Sequence, residues 1–248
     1  MKQINYLQVK HIKKVYHSID GETLAIKDIH FKINKGEFIG IIGPSGCGKS
    51  TILNIISGLD NSYSGEIIKK DNINIAYMLQ EDALFPWLTI LDNVLLGLKI
   101  RKKLNARSKN YALNLLKKYG LYNFKDKYPS SLSGGMKQRV ALIRTLALKP
   151  DILLLDEPFS ALDYQNRLKV SDDVYSIIKE EEKTIIMVTH DIEEAISMCD
   201  KIIVLSKRPS TIKSIYSIEL DNKSTPIKNR ESSNFTNYYK MIWKELDN

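Results

Sequence analysis

The chain has 248 residues and only two cysteines, Cys47 and Cys199. That is too few for a disulfide framework or a structural zinc site, so a reducing compartment is expected. No apolar run approaches the roughly 18 residues needed to cross a bilayer. The opening "MKQINYLQVK" lacks an apolar h-region, so nothing points to secretion. No tract interleaves arginine with aromatics, as a nucleic-acid groove would. Acidic residues are the scarcer charge, with 37 Lys+Arg against 29 Asp+Glu and a net charge of +8. The excess is spread in short runs such as "RKK" and "KK", which suits solvated helix faces better than a nucleic-acid or membrane patch. What is present is ordinary for a globular protein: 43% hydrophobic and 27% charged residues. The length allows one large domain, or a core with a subdomain, around a sizeable apolar interior. There are no internal repeats and no low-complexity linker.

Short β-branched runs, "EFIGII", "DILLLD", "TIIMVTH" and "KIIVLS", read as buried strands. Each of the first three ends in a motif or turn and leads into a helical pattern, which predicts an α/β core with a largely parallel sheet. Near the start, "NYLQVKHIKKVYH" and "TLAIKDIHFKINKG" predict an antiparallel layer turned by "SIDGE". Between about 88 and 148 the pattern is helical and strand-poor, which predicts an inserted helical subdomain. The core then comprises about 1–87 and 149–220. After a polar, Pro-containing break, residues 233–247 predict an amphipathic helix. Phe235, Tyr238, Tyr239, Ile242, Trp243 and Leu246 fall on one face at 3.6 spacing and should pack on the core.

The strand "EFIGII" runs into "GPSGCGKST" (43–51) and then into the helical "ILNIISGL". This is the phosphate-binding P-loop in its strand–loop–helix context. Gly43, Gly46 and Gly48 let the backbone turn its N–H groups onto phosphates, with Pro44, Ser45, Cys47 and Thr51 completing the loop. Lys49 supplies positive charge and Ser50 a hydroxyl for Mg²⁺. Cys47 fills a variable position as a small apolar group. The strand "DILLLDEP" ends in adjacent carboxylates, placed at the end of a parallel strand where nucleotide sites form. Asp156 is expected to reach Mg²⁺ and Glu157 to polarise the attacking water. A strand-end histidine is usually structural when alone. Beside a P-loop and an acid pair, His190 is expected to contact the γ-phosphate. Gln80 has an amide suited to touching Mg²⁺ or the attacking water. A second anion site is written at "LSGGMKQRV" (132–140), where a helix opens on Ser133, Gly134 and Gly135 with bare N–H groups and a hydroxyl.

Taken in order, "GPSGCGKST", Gln80, "LSGGMKQRV", "ILLLDEP", "SALD" and His190 resemble the ATPase subunit of an ATP-binding cassette (ABC) transporter, over about 7–209. The resemblance implies a P-loop ABC ATPase core with an antiparallel β layer and an inserted helical subdomain. It implies ATP and Mg²⁺ as ligands, and Tyr16 as the aromatic that stacks on adenine. It also implies why a second phosphate loop exists. Two copies would face each other head to tail, and Ser133, Gly134 and Gly135 would hold the partner copy's γ-phosphate, with Asp163 of "SALD" linking the two sites.

The segment "LFPWLTILDNV" and the run "LSKRPSTI" are similar to the subgroup that energises nitrate, sulfonate and taurine importers. Ser210 stands where that subgroup has glycine, and Leu79 where phenylalanine is usual. The implied partners are a second copy, integral membrane permease subunits and, indirectly, a solute-binding protein, with no nucleic acid. The implied location is the cytoplasmic face of the membrane. An ABC exporter and a soluble ABC ATPase acting on nucleic acid are the alternatives. The interval from Thr51 to Ser133 leaves no room for the coiled-coil insertion the latter usually carries.

Overall fold

Strands form where β-branched and aliphatic residues run together in the computed structural model, which describes residues 6–19, 21–80 and 83–247. Asp20 of the "SIDGE" turn and Glu81 and Asp82, just after Gln80, lie outside the described residues. Two compact units are present, Met1–Ile73 with Lys183–Asn248, and Asn74–Glu182. Elements are numbered along the chain.

The first unit contains β1 (Leu7–Ser18), β2 (Gly21–Ile33), β3 (Phe38–Ile42), α1 (Lys49–Ser57) and β4 (Ser64–Lys69). After the residues of the second unit it resumes with β7 (Thr184–Val188), α6 (Ile192–Met198), β8 (Lys201–Leu205), β9 (Ser210–Ser217), α7 (Pro226–Asn229) and α8 (Phe235–Asp247). Its strands lie in the order β4-β1-β2-β9-β8-β3-β7. The layer β4-β1-β2 is antiparallel, and its β1–β2 pair is the one the sequence predicts. The trio β8-β3-β7 is parallel, with Ile41 opposite both Val188 and Ile203. Every residue of β3 and β7 is buried, which explains their unbroken apolar runs. Burying each such Ile or Phe contributes about 1.5–3 kcal/mol.

The second unit contains β5 (Ile75–Met78), α2 (Ile90–Ile100), α3 (Ala106–Lys118), α4 (Gly134–Leu146), β6 (Ile152–Asp156) and α5 (Tyr164–Glu180). Short 3-10 turns at Tyr122–Phe124 and Pro129–Ser131 join α3 to α4. β5 and β6 pair in parallel, from Ile75 opposite Ile152 to Met78 opposite Leu155. α4 packs on α2, α3 and α5. Val94, Leu116, Val140, Ile143 and Leu146 are fully enclosed. Short polar side chains set the helix starts: Thr89, Asn105, Ser133 and Asp163 each accept an N–H of the following turn.

Two expectations need correction. Strands β4, β5 and β9 carry no long apolar run and were not foreseen. Beyond the buried Ser210, β9 is made of half-buried and exposed residues, and β4 is largely exposed, so neither has two faces to bury. The contact face of α8 is also narrower than the six-residue stripe. Phe235 and Ile242 are buried where α8 meets α6 and β8, but Trp243 is 53% exposed and stacks on Tyr239 with ring centroids 5.9 Å apart.

Candidate nucleotide site

In the first unit, β3 delivers the chain directly into the loop 43–51. Gly46 (φ 72°) and Gly48 (φ 102°) take left-handed backbone that other residues enter with strain. Gly48 is the N-cap of α1 and has no side chain to place on the first turn. A helix start of this kind leaves its N–H groups and positive end for an anion. Lys49 is only 6% exposed, and its ammonium donates to Gly43 O at 2.9 Å and Pro44 O at 3.2 Å. The loop carbonyls thus hold the cation within the curve of the loop. Cys47 is enclosed, and burial pushes its thiol above the ordinary range against the opposing charges of Lys49 and Arg208. It packs as a neutral filler.

Because β3 and β7 are neighbouring parallel strands, their C-terminal ends emerge at the same edge of the sheet. The exposed His190 follows β7 there, held between Thr189, whose hydroxyl donates to Glu194 at 2.7 Å, and Asp191, the N-cap of α6. Tyr16 on β1 is 41% exposed, and its hydroxyl lies 3.0 Å from Thr51 Oγ1. The ring therefore stands beside the first turn of α1. Beneath it, Lys14 Nζ lies 4.8 Å from the ring centre and 2.7 Å from Asp60.

In the second unit, β6 ends at Asp156, whose carboxylate is 6% exposed and accepts from the Tyr77 hydroxyl at 2.7 Å. Burial, with Asp156 alongside, pushes the Tyr77 pKa far up and keeps the phenol a donor. Glu157 follows at φ 44°, a left-handed conformation that is strained for a glutamate and aims its side chain off the line of the strand. Gln80 leaves the end of the neighbouring β5, and its Nε2 donates to Glu157 Oε2 at 3.3 Å. The structure thus joins the Gln80 amide to the second carboxylate.

The segment "LSGGMKQRV", the signature motif in the ABC resemblance, opens α4. Ser133 is exposed, extended (φ −67°, ψ 161°), and its hydroxyl accepts from Met136 N over a long 3.4 Å. Gly135 packs so tightly on α5 that a Cβ there would lie 2.7 Å from Val170 Cγ2. A Cβ on Gly134 would lie 3.1 Å from Leu162 Cδ2, so the "SALD" turn adjoins the start of α4. Asp163 is exposed and caps α5. Hydrogen bonds from the Asn166 N–H and side chain hold its carboxyl below the ordinary range.

Several supporting residues escaped the sequence reading. Buried Gln138, within "LSGGMKQRV", donates from Nε2 to Pro158 O and ties α4 to the turn after Glu157. Asn93, fully buried, bonds to Phe85 N and to the carbonyls of Phe85, Leu88 and Thr89. It holds the "FPW" turn open, leaving Phe85 37% and Trp87 69% exposed. Its place inside "DNV" was the available signal.

Residues 26–160 match the family model described as ABC transporter. This chain belongs to the ABC transporter family. It is an ABC ATPase and binds ATP. The chain is 47% identical to YtlC of Bacillus subtilis (strain 168), an uncharacterized ABC transporter ATP-binding protein, over 98% of this chain and 96% of that one. It is 38% identical to the nitrate import ATP-binding protein NrtD of Synechocystis sp. (91% of this chain, 87% of that one). It is 35% identical to the aliphatic sulfonates import ATP-binding protein SsuB of Bacillus cereus (97% and 96%). Among solved structures, the dimer of the ATP-binding cassette MJ0796 in a post-hydrolysis state with ADP and Pi superposes with a TM-score of 0.72. The two are 34% identical, over 86% of this chain and 99% of that one.

Proposed function

We propose that this ABC ATPase drives uptake of a small anion, with nitrate, sulfonates and taurine as the candidates, as a homodimer bound to permease subunits at the cytoplasmic face of a membrane. A solute-binding protein would deliver the solute. No helix among the described residues is long and apolar enough to cross a bilayer, so the translocation path would belong to other subunits. The observation that carries this reading is the stretch from Gln80 to Trp87. It starts on the carboxylate Glu157 and ends in an exposed aromatic pair, 5.3 Å between rings, pinned from beneath by Asn93. Arg144 adds a bond to Ala83 O at 2.7 Å. One short piece of chain thereby connects a hydrolytic group to a surface fit for a partner helix. The names of the nitrate and sulfonate relatives supply the solute class.

In this reading, the loop N–H groups from Gly43 to Thr51 and the Lys49 ammonium bind the β- and γ-phosphates, and Tyr16 stacks on adenine. Glu157 accepts the proton of the attacking water, Gln80 orients that water, and His190 donates to the γ-phosphate. Among the described residues no cluster of three or more His, Cys, Asp or Glu could hold a metal by itself. One buried carboxylate with a hydroxyl and an amide is the sparse oxygen set that suits Mg²⁺, an ion that keeps waters and shares phosphate oxygens. Asp156, Ser50 and Gln80 would hold it, and it would neutralise phosphate charge. Tyr77 fixes the orientation of Asp156 for that task. Ser133, Gly134 and Gly135 face the ATP of the second copy, and Asp163 lies at that contact.

Deleting the gene in the source organism and measuring uptake of labelled nitrate, alkanesulfonate and taurine tests the reading. One of these uptakes should vanish and return with the wild-type gene but not with Glu157→Gln. Unchanged uptake of all three, with loss of an efflux activity, would contradict it.

A further inference from the structure

The run "LSKRPSTI" enters the site described so far only through the charge of Arg208 near Cys47, yet the fold lays that arginine directly on the phosphate loop. Exposed Arg208 donates to Gly46 O through Nε at 3.0 Å and through Nη2 as well. Two N–H groups of one planar fork converge on a single carbonyl. The base of this side chain is fixed. Ser206 N bonds Thr211 O and Thr211 N bonds Ser206 Oγ, each at 2.9 Å. The wholly buried Ser210 anchors the segment to Ala25 O at 3.3 Å. Gly46 itself, at φ 72°, has no side chain to hold its peptide, and glycine is the residue with most freedom to lose. The same peptide plane carries Cys47 N–H, which closes the turn onto Pro44 O at 3.2 Å. The Gly46–Cys47 peptide is therefore held from both of its edges.

The geometry points to Arg208 as a positioning residue for phosphate binding, one whose fork sets the Gly46–Cys47 peptide and keeps the loop in its anion-binding shape before nucleotide arrives. This rests on the phosphate-loop reading of 43–51. Without the fork, a glycine-rich loop samples other peptide orientations, and the nucleotide must order it at the expense of affinity. A lysine would keep the charge but offer no planar pair of donors.

Purified full-length wild type, Arg208→Ala, Arg208→Lys and Lys49→Ala, titrated with MgATP and with inorganic tripolyphosphate, test this, together with ATPase kinetics and thermal melting. In Arg208→Ala, both ligands should bind about tenfold more weakly and KM should rise in proportion. The kcat at saturation should fall less than twofold, and the melting midpoint should not move. Arg208→Lys should recover only part of the affinity. Full recovery by lysine would assign the effect to charge alone and overturn the role of the fork. Wild-type affinity in Arg208→Ala beside a Lys49→Ala protein that has lost binding would overturn the role of Arg208 only. Wild-type affinity in Lys49→Ala would bring down the phosphate-loop reading itself.

Discussion

A lysine carried into the protein needs its charge answered, and Lys14 shows how that is done beside the nucleotide site. It is 4% exposed and donates to Asp60 and, at 2.6 Å, to Ser62 O, while the Tyr16 ring covers it. Burial opposes the charge of Asp60, but hydrogen bonds from Lys14 and the Ser62 N–H outweigh it and hold the carboxyl below its ordinary value. A depressed acid stabilises the fold fully above its unfolded pKa, near 4, and that contribution fades as pH falls through the folded value. Asp60→Asn is therefore expected to lower stability at pH 7 by about 1–3 kcal/mol. Denaturant melts should show this deficit shrinking below about pH 4, and a deficit unchanged at pH 3 would rule out charge as its source. Residues of this kind mark the limit of what the sequence discloses. Lys49, Glu157 and Gln80 could be named as candidates from the sequence because phosphate chemistry needs their types at fixed spacing. Asp60 stands 46 residues from Lys14, and Tyr77 stands 79 from Asp156, so only folding reveals them as partners.

At the scale of elements, the packing of α4 on α5 decides how the signature segment is presented. Gly135 lets the helices approach until a Cβ would meet Val170 at 2.7 Å, and Val170 is itself 6% exposed with a stiff, branched side chain. Gly135→Ala gains about 1 kcal/mol in helix propensity but overpacks this contact, which costs about 1–3 kcal/mol. The overpacking should win, and melting should show a net loss. Val170→Ala in the same chain should make room, leaving the double variant more stable than the Gly135→Ala protein. Failure of that rescue would mean that α4 and α5 do not meet as described. Elements buried on both faces, β3, β6 and β7, were plain in the sequence, since continuous apolar runs have few other uses. β9 was not, because a half-exposed strand alternates and resembles a polar loop. The stripe on α8 was overread: helical spacing aligns Trp243 with Ile242's neighbours, but only tertiary contact decides which of them are covered.

At the scale of the whole molecule, the sequence offers two segments suited to phosphate, and the central claim is that the second serves another copy's ATP. Ser133 and Gly134 are exposed at the start of α4, as a surface waiting for a partner's ligand would be. ATP that binds only the paired state shifts the monomer–dimer equilibrium by mass action. In the proposed reading, hydrolysis would then remove the group both copies hold. The most direct test is size-exclusion chromatography with light scattering on the Glu157→Gln protein. The amide should keep the shape of the site and its contact with Gln80 while losing the base, so ATP should bind and persist. The protein is expected to run as a dimer with ATP and as a monomer without it. Adding Ser133→Arg, which would fill the proposed γ-phosphate seat, should return it to the monomer. A double variant that still dimerises on ATP would place Ser133 away from the partner's phosphate and contradict the account.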